Sequence, residues 1–266
     1  MRPAAEPYAI ALPWEGGGGR ASPDASRVGV NLNHPHPGSA QDARPNYQWD
    51  LYVVPDYQLY CFAQSGNSYK AALMLALIGA RWKPIHVDFF HGETRSAQYR
   101  ESVNAMGEVP VLVDGSHKLS QSGAILTHLS RRSGRFGSDD ADEQLEILRW
   151  ILFDNHKFTS YLATYRFLVA FAKTGDPAVM EFLKGRIASA LAIVAKHLSK
   201  QEFMTGAEPT IADLSLCGYL FYPAEEFGFD IAAEHPPIGG WLERIRALPG
   251  WVHPYELMPG HPLKAG

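Results

Sequence analysis

Between residues 57 and 132 the chain alternates short apolar segments with helix-forming segments, and this alternation most restricts its possible folds. Tyr57–Phe62 and Pro84–Phe89 have the composition of strands. Tyr69–Ile78, between them, is typical of a helix that ends at Gly79. A strand–helix–strand unit with a right-handed crossover predicts two parallel strands.

The second half of this region predicts a hairpin followed by a helix. A loop and a short helix lead to an apolar strand at Glu108–Val113. Asp114-Gly115 then indicates a tight turn into a short return strand at Lys118–Leu119. A further helix opens at Gln121. The order βαβ, helix, ββα is that of a thioredoxin-like domain, which we predict over residues 56–134.

After residue 134 the pattern becomes purely helical. Apolar residues recur at helical spacing over Asp142–Ala172 and Ala178–Leu198, which predicts an all-α domain over 139–252. Thr210-Ile211-Ala212-Asp213 has the form of a capping box, which we assign to folding. The predicted fold class is therefore an α+β/α two-domain protein, a thioredoxin-like N-terminal domain followed by an all-α helical-bundle domain. Residues 253–266 are predicted as a C-terminal tail.

Residues 1–55 differ in composition from the rest of the chain. They contain 8 Pro and 6 Gly and no Lys. Such a segment buries too little apolar surface to offset its ordering entropy, so we expect a disordered N-terminal extension. Trp14 and Trp49 leave a docking role open, whereas His34 and His36 are too few to predict a metal site.

The overall composition excludes several classes of protein. A formal net charge of -4 over 266 residues argues against nucleic-acid binding through a basic surface. No apolar run approaches the ~20 residues of a membrane helix, so no membrane partner is predicted. Cys61 and Cys217 cannot form a disulfide framework, and no metal site is indicated. We expect a cytoplasmic protein.

Four short motifs carry a resemblance to a known family. From about residue 57 to 252 the chain resembles a bacterial glutathione S-transferase of the Ser/Asn type, similar to the nu class. The resemblance implies an N-terminal glutathione site, a C-terminal site for a hydrophobic substrate, a homodimer, and glutathione as co-substrate with no other cofactor. The motifs are Leu59-Tyr60-x4-Ser65-Gly66-Asn67-x2-Lys70, Gly107-Glu108-Val109-Pro110-Val111-Leu112, Leu119-Ser120-Gln121-Ser122-Gly123-Ala124-Ile125 and Thr210-Ile211-Ala212-Asp213.

Ser65 and Asn67 are the predicted catalytic residues. A glutathione transferase must lower the pKa of a thiol, because the thiolate is the nucleophile. A hydroxyl or amide donor at a helix N-terminus does this, since the helix end adds partial positive charge. Both residues lie between the first strand and the first helix. From the local sequence alone, simple capping of that helix is the alternative interpretation.

Four residues are predicted to bind the rest of glutathione. The resemblance implies a cis bond between Val109 and Pro110, which would leave the main chain of Val109 free to pair with the cysteinyl part of the peptide. Gln121 and Ser122 open a helix whose free N–H groups suit the γ-glutamyl carboxylate. The family more often carries an acidic residue at the position of Gln121, where it contacts the amine of the ligand.

The substrate pocket and the type of reaction are less narrowly predicted. Phe153 and Tyr165 are candidates for an apolar substrate pocket, with packing in the core as the alternative, and Arg166 has no assigned role. The turn Ser65–Ser68 holds no sulfur, which argues against a dithiol mechanism.

We predict an enzyme that conjugates glutathione to a small hydrophobic electrophile, with peroxide or disulfide reduction by glutathione as a further activity. The main alternative is a non-catalytic, transferase-like glutathione-binding or regulatory protein. An isomerase or dehalogenase of the same fold is a narrower alternative.

Overall fold

The computed structural model describes residues 56–263. The predicted N-terminal extension over 1–55, with its two tryptophans and its histidines, lies outside the described residues. The first described domain holds a four-stranded sheet in the order β2-β1-β3-β4. Its strands are β1 Tyr57–Cys61, β2 Trp82–His86, β3 Val111–Asp114 and β4 His117–Ser120.

The sheet confirms the predicted topology. β1 and β2 are parallel, whereas β3 is antiparallel to both β1 and β4. In the register of the sheet Tyr60 pairs with Val111, and Val111 pairs with Ser120. The end of β1, the start of β3 and the end of β4 therefore meet at one edge. The residues that follow β1, precede β3 and follow β4 are brought together there.

Three helices complete this domain. They are α1 Gly66–Leu77, α2 Ala97–Ser102 and α3 Ser122–Ser133. α1 begins three residues earlier than the apolar pattern predicts, because Ser65 caps it. The α1 side chains of Tyr69, Leu73 and Leu75 are fully buried, and each such apolar side chain contributes roughly 1.5–3 kcal/mol of burial.

The second domain is helical, as predicted. Its helices are α4 Ala141–Phe153, α5 Thr159–Arg166, α6 Pro177–Leu198, α7 Ile211–Leu216, α8 Ile231–Glu234, α9 Pro236–Arg246 and α10 Pro254–Leu257. The predicted helix over 142–172 is not continuous. π-helical turns at Asp154–Phe158 and Phe167–Ala172 interrupt it and change the face that each side chain presents.

The capping box is present at the start of α7 and has a structural role. Thr210 N donates to Asp213 Oδ2 at 2.8 Å. The buried carboxylate of Asp213 also accepts from Met204 N and from Trp241 Nε1, each at 2.8 Å. Asp213 thus ties the start of α7 to α9, in agreement with its assignment to folding.

A buried ion pair joins the two domains. Lys70 of α1 lies with its Nζ 2.6 Å from Asp154 Oδ2, and neither side chain is exposed. Lys70 also donates to Thr159 Oγ1 at 3.0 Å, and Ser215 Oγ donates to Asp154 at 2.5 Å. The polar groups of the pair are therefore satisfied without water.

Part of the predicted C-terminal tail packs on the body of the protein. Met258 is buried, and Pro259 accepts a main-chain hydrogen bond from Ala63 at 2.7 Å. The segment up to residue 263 is therefore part of the folded domain. None of the helices within residues 56–263 has the length and apolarity that a bilayer crossing requires.

Candidate functional site

A cleft of about 420 Å³ opens where the sheet edge meets α5, a size typical of small-molecule sites. One side is polar and holds all six residues predicted to carry glutathione chemistry. These are Ser65, Asn67, Val109, Pro110, Gln121 and Ser122. The opposite side is aromatic and combines residues of both domains.

Ser65 caps α1 and also faces the cleft. Its Oγ accepts from Ser68 N at 3.1 Å, so the capping interpretation describes the free protein correctly. Its hydroxyl proton has no acceptor among residues 56–263, although only 6% of the residue is exposed. A hydroxyl that accepts from the helix and still has a proton to donate suits an anion at the N-terminus of α1.

Asn67 has an unmet hydrogen-bonding group at the same turn. Its Oδ1 is buried and has no partner within the described part of the chain. Buried polar atoms are nearly always paired, so an orphaned one at a ligand cleft needs an explanation. A donor group of a ligand bound in the cleft would supply the missing partner.

The Val109–Pro110 bond is cis, as the motif predicts. Val109 precedes β3, and within residues 56–263 neither its N–H nor its C=O has a main-chain partner. The residue before it is held firmly, because Glu108 O accepts from Tyr99 Oη at 3.0 Å and from Asn104 Nδ2 at 3.1 Å. Val109 therefore offers a fixed, unused main-chain edge to an extended peptide.

Gln121 and Ser122 stand at the start of α3, and a carboxylate lies beside them. Gln121 has a left-handed backbone, with φ 69°. Its Nε2 donates to Glu108 Oε2 at 2.8 Å. Gln121, Glu108 and the buried Ser122 all line the cleft. Sequence reasoning missed Glu108, which it placed at the start of the predicted strand Glu108–Val113, because a charged residue at the end of a strand is typical of solvent exposure.

The aromatic wall consists of phenylalanines that the sequence analysis did not single out. The rings of Phe62 and Phe89 stack at 4.8 Å, and Phe90 contacts Phe171 at 5.3 Å between ring centres. The pairs Phe89-Phe90 and Phe167-x3-Phe171 are visible in the sequence as signals that could have found this wall. The cleft-lining phenylalanines are Phe62, Phe89, Phe90, Phe167 and Phe171.

Phe153 and Tyr165, the residues predicted for the substrate pocket, do not line this cleft. Phe153 packs against Trp150 at 5.5 Å between ring centres, and the buried Tyr165 packs against Phe229 at 6.0 Å. The π-helical turns change the helical register, so that Arg166 and Phe167 face the cleft instead.

Arg166, which the sequence analysis left unassigned, anchors the turn that carries Ser65. It is 1% exposed, and its Nη1 donates to Gln64 O at 2.6 Å. Its Nε donates to Glu226 at 2.7 Å and its Nη2 to Tyr255 Oη at 3.0 Å. The charge is therefore neutralised locally, which indicates a positioning role rather than free binding of an anion.

Neither cysteine lines the cleft. Cys61 is buried in β1, and burial raises the pKa of its thiol to about 12. Burial likewise raises the pKa of the Cys217 thiol. Both side chains pack as small apolar groups. Within residues 56–263 no group of three His, Cys, Asp or Glu side chains is placed to hold a metal ion.

Fold and cleft together define a class of two-domain proteins, in which a thioredoxin-like domain is followed by a helical domain and a cleft lies at the first helix. Comparison with protein families agrees with that class. Residues 55–131 match the model of the glutathione S-transferase N-terminal domain, and residues 177–244 match that of the C-terminal domain. A glutathione S-transferase from Xanthobacter autotrophicus is 31% identical, with a TM-score of 0.68 over 74% of this chain and 95% of that one. The chain therefore belongs to the glutathione S-transferase family.

Two further relatives show the functional range of similar proteins. Glutathione S-transferase F14 of Arabidopsis thaliana is 26% identical over 211 residues, 73% of this chain and 81% of that protein. The transcriptional regulator URE2 of Saccharomyces cerevisiae is 27% identical over 242 residues, 74% of this chain and 66% of the regulator. A structure of Ure2p in complex with glutathione shares the fold, with a TM-score of 0.67 at 23% identity over 74% of this chain and 96% of that one.

Proposed function

We propose that this protein is a glutathione transferase that conjugates glutathione to small hydrophobic electrophiles. The observation that supports this most is the two-sided cleft. Ser65 and Asn67 stand at the N-terminus of α1 on its polar side, and five phenylalanines form its apolar side. A peptide thiol on the first side would face an apolar electrophile on the second.

In the proposed reaction, the turn at α1 stabilises the thiolate of glutathione. The thiol proton passes to solvent, the Ser65 hydroxyl donates to the sulfur anion, and the helix end adds partial positive charge. The thiolate then forms a carbon–sulfur bond with the electrophile as the leaving group departs. Ser65-Gly66-Asn67 also supports placement in the Ser/Asn subtype of the family, similar to the nu class.

The remaining polar residues support binding of the peptide. The open main-chain edge of Val109 suits the cysteinyl unit, and the N-terminus of α3 with Ser122 suits the γ-glutamyl carboxylate. Gln121 is neutral, but the Glu108 carboxylate 2.8 Å from its amide supplies a negative group for the amine of the ligand. We propose no cofactor besides glutathione as co-substrate.

Calorimetric binding of glutathione, followed by turnover with a generic aryl halide, tests this proposal. We expect binding and conjugation by the wild-type chain, and loss of turnover without loss of binding in Ser65→Ala. Because the aromatic wall binds only the electrophile, Phe171→Ala is expected to raise the KM for the aryl halide and leave the KM for glutathione unchanged. A chain that binds no glutathione contradicts the proposal.

A non-catalytic glutathione-binding or regulatory role is the second candidate, and its support is the similarity to the yeast regulator. The same experiment separates the two. Binding of glutathione without turnover of an aryl halide, a small disulfide or a peroxide would favour this second role. Turnover of the disulfide or peroxide alone would favour a reductase.

We also propose a homodimer that is formed through α4. Leu145, Leu148 and Leu152 lie on one face of this helix and are 65%, 49% and 58% exposed. Leu148 and Leu152 line a groove against α3. Contiguous exposed apolar surface of this kind marks an interaction site. Light scattering at micromolar concentration should give a dimer mass that Leu148→Glu reduces to a monomer, and a monomeric wild-type chain contradicts the proposal.

A further inference from the structure

Tyr219 brings a hydroxyl group from the second domain to the turn that carries Ser65 and Asn67. It ends a short 3₁₀ turn, Cys217–Tyr219, directly after α7. It lines the cleft, although only 7% of the residue is exposed. None of the four family motifs in the sequence includes it.

The ring of Tyr219 lies directly on the N-terminus of α1. A Cβ atom added to Gly66 would come within 2.4–2.5 Å of three ring carbons of Tyr219. Gly66 is therefore needed because the ring occupies the space of a side chain, not because of its backbone angles. This close approach fixes the ring beside the first turn of α1.

Within the described residues 56–263, no group accepts the hydroxyl proton of Tyr219. The buried tyrosines Tyr69, Tyr99 and Tyr222 and the half-buried Tyr255 each donate to a carbonyl or carboxylate. Tyr165 is also buried without such an acceptor among residues 56–263, but it does not line the cleft. The hydroxyl of Tyr219 has no such acceptor among residues 56–263. Because the residue lines the cleft, its hydroxyl has access to a ligand there. A tyrosine buried to this extent normally has a partner for its proton.

The surroundings of this phenol favour its role as a donor. Burial raises the pKa of Tyr219, while the charge of Arg166 and the N–H groups of Asn67 and Gly66 oppose that shift. The phenol therefore remains protonated at neutral pH.

We propose that Tyr219 is an additional catalytic residue, whose hydroxyl donates a hydrogen bond to the sulfur of glutathione bound at the N-terminus of α1. This inference rests on the glutathione-binding function proposed above. The phenol keeps its proton throughout, and the hydrogen bond stabilises the thiolate before and during its attack. Two hydroxyls would then face the sulfur, one from each domain.

The test is Tyr219→Phe, which keeps the ring on Gly66 and removes only the hydroxyl. We expect the thiol pKa of bound glutathione, followed by thiolate absorbance in the ultraviolet, to rise by about one unit. We expect turnover at pH 7 to fall by about three- to eightfold, which is the loss of thiolate when a thiol pKa of ~6.5–7.5 rises by one unit. Affinity for S-methylglutathione, which has no thiolate, should be unchanged.

Tyr69→Phe is the matched control, because its hydroxyl donates to Val252 O at 2.8 Å and does not line the cleft. It should leave the thiol pKa unchanged. If the wild-type and Tyr219→Phe chains lower the thiol pKa equally, the proposed role of Tyr219 is wrong, but the proposed function still holds. A wild-type chain that binds no glutathione overturns both. An equal loss of affinity for glutathione and S-methylglutathione would show a merely structural role and also overturn the inference.

Discussion

Replacement of Lys70 by methionine tests how α1 is joined to the second domain. Methionine keeps most of the length of the side chain and removes the charge. The variant leaves Asp154 fully buried, and among residues 56–263 its carboxylate keeps as partners the hydroxyls of Thr159 and Ser215, at 2.6 and 2.5 Å. Removal of one partner of a buried ion pair costs about 3–5 kcal/mol. We expect a loss of that size, a large part of the roughly 5–15 kcal/mol that stabilises a typical domain.

Equilibrium unfolding in urea, followed by circular dichroism, measures this loss. The double variant Lys70→Met with Asp154→Leu removes both charges, and it should be more stable than Lys70→Met alone because no charge is left unpaired. Arg81→Met is the surface control, since Arg81 and Asp56 are 57% and 50% exposed and their pair should contribute under about 1 kcal/mol. A double variant no more stable than Lys70→Met would refute the assignment of the loss to the buried charge of Asp154.

Three further predictions follow from individual contacts. Glu108→Gln should weaken the binding of glutathione about fivefold, because an exposed ion pair contributes about 1 kcal/mol. The same substitution should not change the affinity for an analogue of glutathione without the amine, and calorimetry with both peptides checks this. Gly66→Ala should lower the free energy of unfolding by about 1–3 kcal/mol through its clash with the Tyr219 ring, and urea unfolding should show no such loss in a Tyr219→Ala background. Asp213→Ala should lower the free energy of unfolding by about 3 kcal/mol or more, because it leaves the N–H groups of Thr210, Met204 and Trp241 without their acceptor. Thermal unfolding would show this loss as a lower Tm.

Local sequence signals predicted most of the fold. The parallel pairing of β1 with β2 follows from an apolar strand on each side of a helix, and the capping box at Thr210 follows from two residues three positions apart. The start of α1 could not be placed from apolar periodicity. Gly66 and Asn67 lack apolar side chains, and the helix begins there because Ser65 accepts from Ser68 N.

The sequence analysis placed the aromatic side of the cleft on the wrong residues of the long helical segment. The sequence pattern predicts an uninterrupted helix through Phe153 and Tyr165, but the π-helical turn at Asp154–Phe158 changes the register between them. Such a turn has no clear signature in a single sequence.

Pairings between residues distant in the chain were likewise out of reach. The contacts of Glu108 with Gln121, Lys70 with Asp154 and Tyr219 with Gly66 join distant segments, and they exist only because the fold brings these segments together.

The proposed function requires the turn at the N-terminus of α1 to lower the thiol pKa of bound glutathione. Titration of thiolate absorbance at saturating glutathione, in the wild type, Ser65→Ala and Asn67→Ala, tests it most directly. We expect a wild-type pKa below the ~8.5 of a free thiol by about one to two units, because a charge-assisted hydrogen bond contributes roughly 1.5–3 kcal/mol. Ser65→Ala should lose most of that pKa shift, and Asn67→Ala should lose less of it. The reverse order would show that Asn67, and not Ser65, donates the main hydrogen bond to the sulfur. A thiol pKa that is the same in all three chains would contradict the claim.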